Sequence, residues 1–192
     1  MGLVFRKTRK HKRRQQAKTR RRATTKSRQQ GGASGTARMS IKYKTATSGD
    51  TSSYIQLVSP GMVDWTDHYN LKRLDKEPLL EITGLDAGKK YLLVMTDPDA
   101  LGKTWTHWVV VVNGAGQLVK PAIAEYKGPS PPAGSGVHRY IFRLYDLEVV
   151  GEMPRKINDN ERGTYYAEVL SDIVANKNIV LEASYSVDSS KI

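Results

Sequence analysis

The chain has 192 residues, no cysteine, 31 basic and 19 acidic side chains, and a formal net charge of +12 at pH 7. Disulfides and thiolate metal sites are therefore excluded, and apolar runs such as Trp108 to Val112 are far too short to span a membrane. The charge is concentrated: 14 of the basic residues and none of the acidic ones lie in residues 1–38, which leaves 17 basic against 19 acidic over the other 154.

From the amino terminus, residues 1–30 are polar, basic and rich in Gln, Arg and Thr, with almost nothing apolar after Phe5. Such a segment cannot bury enough surface to offset its ordering entropy. The expectation is an intrinsically flexible basic arm over residues 1–38, jointed at the GGASG of 31–35, and a folded domain over 39–192. The amino terminus lacks a signal peptide's apolar stretch. Arg6 stands where an N-myristoylation motif would need Ser or Thr. An intracellular protein, cytoplasmic or nuclear, is expected.

So dense a run of cations exceeds what solubility needs, and nucleic acid is the leading partner. Arg6, Lys7, Arg9, Lys10, Lys12, Arg13, Arg14, Arg20, Arg21 and Arg22 are the candidate partner-binding residues. With Phe5 as the arm's sole aromatic, base stacking and sequence readout are not expected. An acidic protein surface, a nuclear localisation signal at RKTRKHKRR, and an anionic membrane with Leu3-Val4-Phe5 as a small anchor are alternatives.

Beyond the joint, β patterns dominate. Residues 40–47 and 54–58 read as edge or hairpin strands, and 79–83 as a short strand closed by the turn Gly84 to Gly88. Residues 91–96 and 107–113 are apolar nearly throughout, the mark of strands covered on both faces, and Gly114-Ala115-Gly116 turns the chain after the second. Residues 137–145 and 179–187 supply two more strands. Only 164–176 has helical spacing, with Tyr166, Val169, Leu170, Ile173 and Val174 on one side. The fold class expected is mostly β with few helices.

Chemistry gathers at the ends of two of these strands. One apolar run ends in Asp97-Pro98-Asp99, and another opens on His107; a Pro131-Pro132 loop with two glycines leads into His138-Arg139-Tyr140. Each feature alone has an ordinary reading, a turn for Asp-Pro and a satisfied core side chain for a lone histidine. Together, two histidines and a carboxylate at strand edges beside Gly/Pro loops can converge on one cavity. A metal site finds no support in spacing, because no H-x-x-x-H or H-x-H pair exists. Nucleophilic hydrolysis lacks a G-x-S-x-G elbow, and Ser135 reads as a flexible loop position. Asp97 and Asp99 face opposite sides of an extended chain and make a poor acid/base dyad. An anion pocket remains, with imidazole, phenol and backbone N–H groups as donors.

Both segments resemble the signature of the phosphatidylethanolamine-binding protein family, T-D-P-D-A-P, then H-[WF], then G-P-P-x-G-x-G-x-H-R-Y. Thr96 to Ala100, His107-Trp108 and Pro131 to Tyr140 match it closely, and the similarity extends over roughly residues 40–188. The resemblance implies a large central β-sheet flanked by a smaller one, and a pocket for phosphate-like or acetate-like anions. Carried over residue by residue, the ligand-binding positions are Asp97, His107, Pro131, Pro132, His138 and Tyr140, while Arg139 supports the loops. Three departures stand out. Leu101 replaces the proline of D-P-D-A-P, and the short link from Asp97 to His107 predicts an abbreviated pocket wall. The chain also ends soon after Val187, where many animal members continue into a terminal helix, which predicts a more open site.

The leading expectation is thus a non-catalytic binding module, needing no cofactor or metal. It would have a pocket for a small anion (phosphate or a phospholipid headgroup) and a basic arm for an anionic partner. The alternative is a structural or assembly protein, such as a minor virion or capsid component, whose arm binds nucleic acid or neighbouring subunits. A hydrolase using Asp97 and His107 through water or metal is the third reading.

Overall fold

Apolar stretches with no polar face need cover on both sides, and Tyr91–Met95 and Trp108–Val112 receive it. The computed structural model describes residues 36–44, 54–58, 64–65, 74–175, 177 and 179–191. The expected arm, its candidate cations from Arg6 to Arg22 and the joint at 31–35 lie outside the described residues. Nine strands run in chain order: β1 Arg38–Lys44, β2 Tyr54–Val58, β3 Asp64–Trp65, β4 Leu79–Thr83, β5 Lys90–Asp97, β6 Trp105–Asn113, β7 Leu118–Ala124, β8 Val137–Asp146 and β9 Ile179–Asp188. They form a three-stranded sheet, β2-β1-β4, and a six-stranded sheet, β3-β9-β8-β5-β6-β7. The fold is mostly β, with a large sheet and a smaller one.

One face of the large sheet packs on the small one. Leu93, Met95, Trp108, Val110, Phe142 and Tyr185 meet Met39, Ile41, Tyr43, Leu80 and Ile82 there. The other face carries Leu92, Val94, Val109, Ala124 and Tyr145, covered by Val150, Ile157, Tyr165, Leu170 and Val174. The covering helices are short. Leu147–Val150 (α1) is capped at its start by the Asp146 carboxylate, which accepts from the Glu148 N–H, and stopped by Gly151 at φ 77°. A π-helical stretch, Tyr166–Leu170, runs into Ser171–Val174 (α2). Leu170 and Val174 are buried and Tyr166, Val169 and Ile173 pack beside them, so the helical spacing placed the right face inward.

The strand expectations need three adjustments. β1 pairs antiparallel with β2, as a hairpin reading of the two segments expects, but it also pairs with β4 on its other side and so is central rather than an edge, which hides Ile41 and Tyr43. β6 begins at Trp105, two residues early, so His107 lies within it. β7 escaped notice because Pro121 interrupts LVKPAIA; the strand is at the open edge of the sheet, where a residue without an N–H forfeits no ladder bond.

Candidate functional site

β5 runs antiparallel to both of its neighbours, so its carboxyl end lies beside the starts of β6 and β8. That topology alone brings Asp97 next to His107 and to His138 and Tyr140. Side-chain alternation then selects a face. Met95 pairs with Phe142, and Asp97 and Tyr140 each lie two residues from that pair on the same side. His107 would point the other way in a regular ladder. The register slips between Met95↔Trp108 and Thr96↔Thr106, leaving His107 as the extra residue of a bulge. Bulges re-aim side chains, and here the imidazole turns to stand edge-on to the Tyr140 ring, with centroids 5.1 Å apart.

Asp97, His107, Pro131, Pro132, His138 and Tyr140 all line one cavity of about 380 Å³, within the usual range for a small-molecule site. At its base is a buried pair: His138 Nδ1 and Asp97 Oδ2 are 2.7 Å apart, each residue at most 3% exposed. The second Asp97 oxygen accepts the Asp99 N–H at 2.8 Å. Asp99 itself turns outward, where the Arg139 guanidinium donates to both its oxygens at 2.7 and 2.8 Å. Those bonds hold the Asp99 carboxyl below its ordinary pKa and tie the 97–99 turn to β8. Arg139 is thus a loop clamp rather than a pocket residue.

Ser135 corrects its reading as a flexible position. Its Oγ is 2.8 Å from His138 Nε2, donates to the Pro132 carbonyl at 2.6 Å and lies 3.0 Å from Ser189 Oγ. Ser189 in turn donates to the Gly136 carbonyl from both its N–H and its hydroxyl, at 2.8 Å each. Both ring nitrogens of His138 are therefore engaged, by Asp97 and by Ser135. The order Asp97, His138, Ser135 follows that of a hydrolytic triad. However, the serine hydroxyl is held by a backbone carbonyl, and Ser135 is not among the cavity-lining residues. Its role is to fasten the Pro131–Gly136 loop around the imidazole.

His107 is anchored differently. Its Nδ1 lies 2.8 Å from the Lys127 carbonyl, while its own carbonyl accepts the Lys127 N–H at 3.0 Å. Behind it, the buried Arg162 guanidinium donates to the carbonyls of Thr106, His107 and Glu125 at 3.3, 2.9 and 2.8 Å. Burial is the main cause that pushes the His107 pKa down to about 4, aided by the Arg162 and Lys127 charges and opposed by the Lys127 carbonyl and Asp97. The ring is neutral near pH 7. Burial also raises the Tyr140 phenol, which stays protonated, and its hydroxyl has no partner among the described residues.

The rim supplies what sequence reasoning missed. Lys103, Trp105 and Lys127 also line the cavity. Lys103 lies over Gly163: a methyl group there would come within 2.7 Å of its Cε and 2.8 Å of its Nζ. Gly128 is equally confined, since a Cβ would fall 2.5 Å from the Leu74 carbonyl oxygen. Neither lysine is within ion-pairing distance of a carboxylate among the described residues. Among the described residues the one lining carboxylate, Asp97, is committed to His138, so the described lining has a cationic rim and no free acid. Among the described residues no three His, Asp or Glu side chains group as a metal site, and no helix is long and apolar enough to cross a membrane.

Comparison with known proteins bears on this architecture. The family model for phosphatidylethanolamine-binding protein matches residues 62–186. A UPF0098 protein of Methanothermobacter thermautotrophicus is 40% identical over a match covering 32% of this chain and 53% of that protein. The chain thus spans about half the length of that relative. Among solved structures, a phosphatidylethanolamine-binding protein from Plasmodium vivax superposes with a TM-score of 0.55 at 20% identity, covering 79% of this chain and 84% of that one. Carboxypeptidase Y inhibitor, solved in complex with its cognate proteinase, gives 0.52 at 16% identity over 81% and 84%. These two share the fold. The signature segments, the large sheet that joins them and a family match over most of the chain lead to one conclusion: this chain belongs to the phosphatidylethanolamine-binding protein family.

Proposed function

We propose that the domain is a non-catalytic binding module whose pocket takes a small phosphate-like anion. The observation that carries this reading is the balance of charge and hydrogen-bonding groups around the cavity. Lys103 and Lys127 stand at the rim, the Tyr140 hydroxyl is available within, and the only lining carboxylate among the described residues is already paired. Among the described residues, an anion entering there meets cations and a donor, and no uncompensated negative charge. The apolar part of the lining, Trp105, Pro131 and Pro132, would shelter whatever the anion is attached to. Asp97 orients His138 rather than touching ligand. Calorimetric titration of phosphate tests the reading: Tyr140→Phe and Lys103→Ala should each weaken binding, and heats equal to the parent's for both would remove it.

The basic arm is the second part of the proposal. Fourteen cations without one acid in residues 1–38 suit an anionic partner, nucleic acid first. If about 6–10 of them meet phosphates, affinity falls by about 10³–10⁵ between 50 and 200 mM salt. Deleting residues 1–38 should abolish that binding and leave anion titration unchanged. The virion or capsid alternative has no specific observation in its favour and is not proposed.

A further inference from the structure

The imidazole of His107 offers the pocket a lone pair, not a proton. A carbonyl oxygen only accepts, so the 2.8 Å contact with the Lys127 carbonyl places the ring's proton on Nδ1. In the neutral ring Nε2 is then an acceptor. The groups facing the ring keep it so. Arg162 lies behind it and the Lys127 ammonium beside it, both opposing a second proton, while Asp97 on β5 favours one and is outweighed by burial. Tyr140 on β8 presents a neutral phenol, Lys103 adds another cation at the rim, and His138 is turned to Asp97 and Ser135. A fully ionised oxyanion would satisfy Tyr140 and the lysines but set an oxygen lone pair against Nε2.

We propose that the pocket selects a phosphate carrying one proton, inorganic or monoester, whose P–O–H donates to His107 Nε2 while its other oxygens accept from Tyr140 and the lysine rim. This rests on the anion reading above and adds that the ligand must bring a donor of its own. A phosphate monoester ionises for the second time at about pH 6, so its protonated form is readily reached at neutral pH. Sulfate and phosphate diesters have no such proton there. Protonating His107 to receive them works against the burial that holds its pKa at about 4. His107 becomes the residue that sets specificity, and the bulge that turns it inward becomes part of the recognition device.

Isothermal titration calorimetry of the full chain, in two buffers of unlike ionisation enthalpy, reads both the affinity and the protons exchanged. The probes are inorganic phosphate, phenyl phosphate, sulfate and dimethyl phosphate. At pH 7 either phosphate should bind at least roughly tenfold more tightly than sulfate or dimethyl phosphate, the factor expected for one buried acceptor left facing an acceptor. At pH 8 phenyl phosphate should take up about one proton on binding, its affinity falling roughly tenfold per pH unit above its second ionisation, whereas inorganic phosphate still carries one proton there and should bind without uptake. A tighter grip on phenyl phosphate than on phosphate identifies a monoester as the source; equal grip identifies the free ion. His107→Gln, whose amide both donates and accepts, should abolish the proton uptake and bring sulfate within about twofold of phosphate. Sulfate binding as tightly as phosphate to the parent, or phenyl phosphate binding at pH 8 without proton uptake, overturns the inference while leaving the anion site standing. No heat from any probe overturns both. Should the variant fail to fold, the parent's proton count and anion ranking decide alone.

Discussion

Acid should destabilise this domain through His107 in particular. In the unfolded chain an imidazole takes its proton near pH 6.5, whereas in the fold burial lowers that value to about 4. Between these limits the unfolded state binds the extra proton and the folded state does not, so stability falls as pH drops through the interval and is fully retained above it. The gap of about 2.5 units corresponds to about 3 kcal/mol at 1.36 kcal/mol per unit, a sizeable share of a domain's typical 5–15 kcal/mol. Urea unfolding from pH 8 to pH 4 would measure the fall in the parent and in His107→Gln, whose side chain cannot titrate. Carboxylates held ionised by ion pairs, Asp99 and Glu161 among them, add an acid slope of their own at the lower end, so the informative quantity is the difference between the two proteins. It should grow by about 3 kcal/mol across the interval. Parallel curves, differing by a constant at every pH, would mean that His107 is not held neutral by burial and would refute the argument.

Other side chains give sharper single numbers. Asp97→Ala leaves the buried His138 Nδ1 and the Asp99 N–H unpaired, and urea titration should show a loss of about 3–5 kcal/mol; Asp97→Asn, which still accepts through its carbonyl, should lose less. Arg162→Met removes the guanidinium donor from the carbonyls of Thr106, His107 and Glu125; the His107 carbonyl keeps the Lys127 N–H, so the loss is about 1–3 kcal/mol for each of the other two where no water replaces the guanidinium, and phosphate binding should weaken as His107 loses its support. Gly136→Ala puts a side chain at φ 91°, costing about 1–3 kcal/mol, and hydrogen exchange should report a looser Ser189 turn, because Ser189 is fastened to the Gly136 carbonyl.

Much of the site could be read from the sequence because two simple rules place it. Apolar runs ending in acid and imidazole marked the strand ends, and an antiparallel sheet necessarily sets the end of β5 beside the starts of β6 and β8. What escaped depends on displacements of one residue or on distant chain. The bulge at His107 has no glycine or proline to announce it; alternation alone would have aimed the imidazole at the opposite face. Ser135 seemed free because its partners, His138 and Ser189, are 3 and 54 residues away and meet it only in three dimensions. Lys103 and Lys127 look like ordinary surface lysines until Gly163 and Gly128 allow the loops close enough to bring them to one rim. The central place of β1 was not legible because β4, its second partner, begins 35 residues after β1 ends.

Nitrogen-15 NMR of the histidine rings during a phosphate titration tests the pocket most directly. The chain has four histidines, His11, His68, His107 and His138, and their ring signals report separately on the basic amino-terminal sequence and on the pocket. Adding phosphate should move the His107 Nε2 signal toward that of a hydrogen-bonded nitrogen while its Nδ1 remains protonated. His107 and His138 unmoved at saturating phosphate, with the response confined to His11 among the amino-terminal cations, would contradict the account.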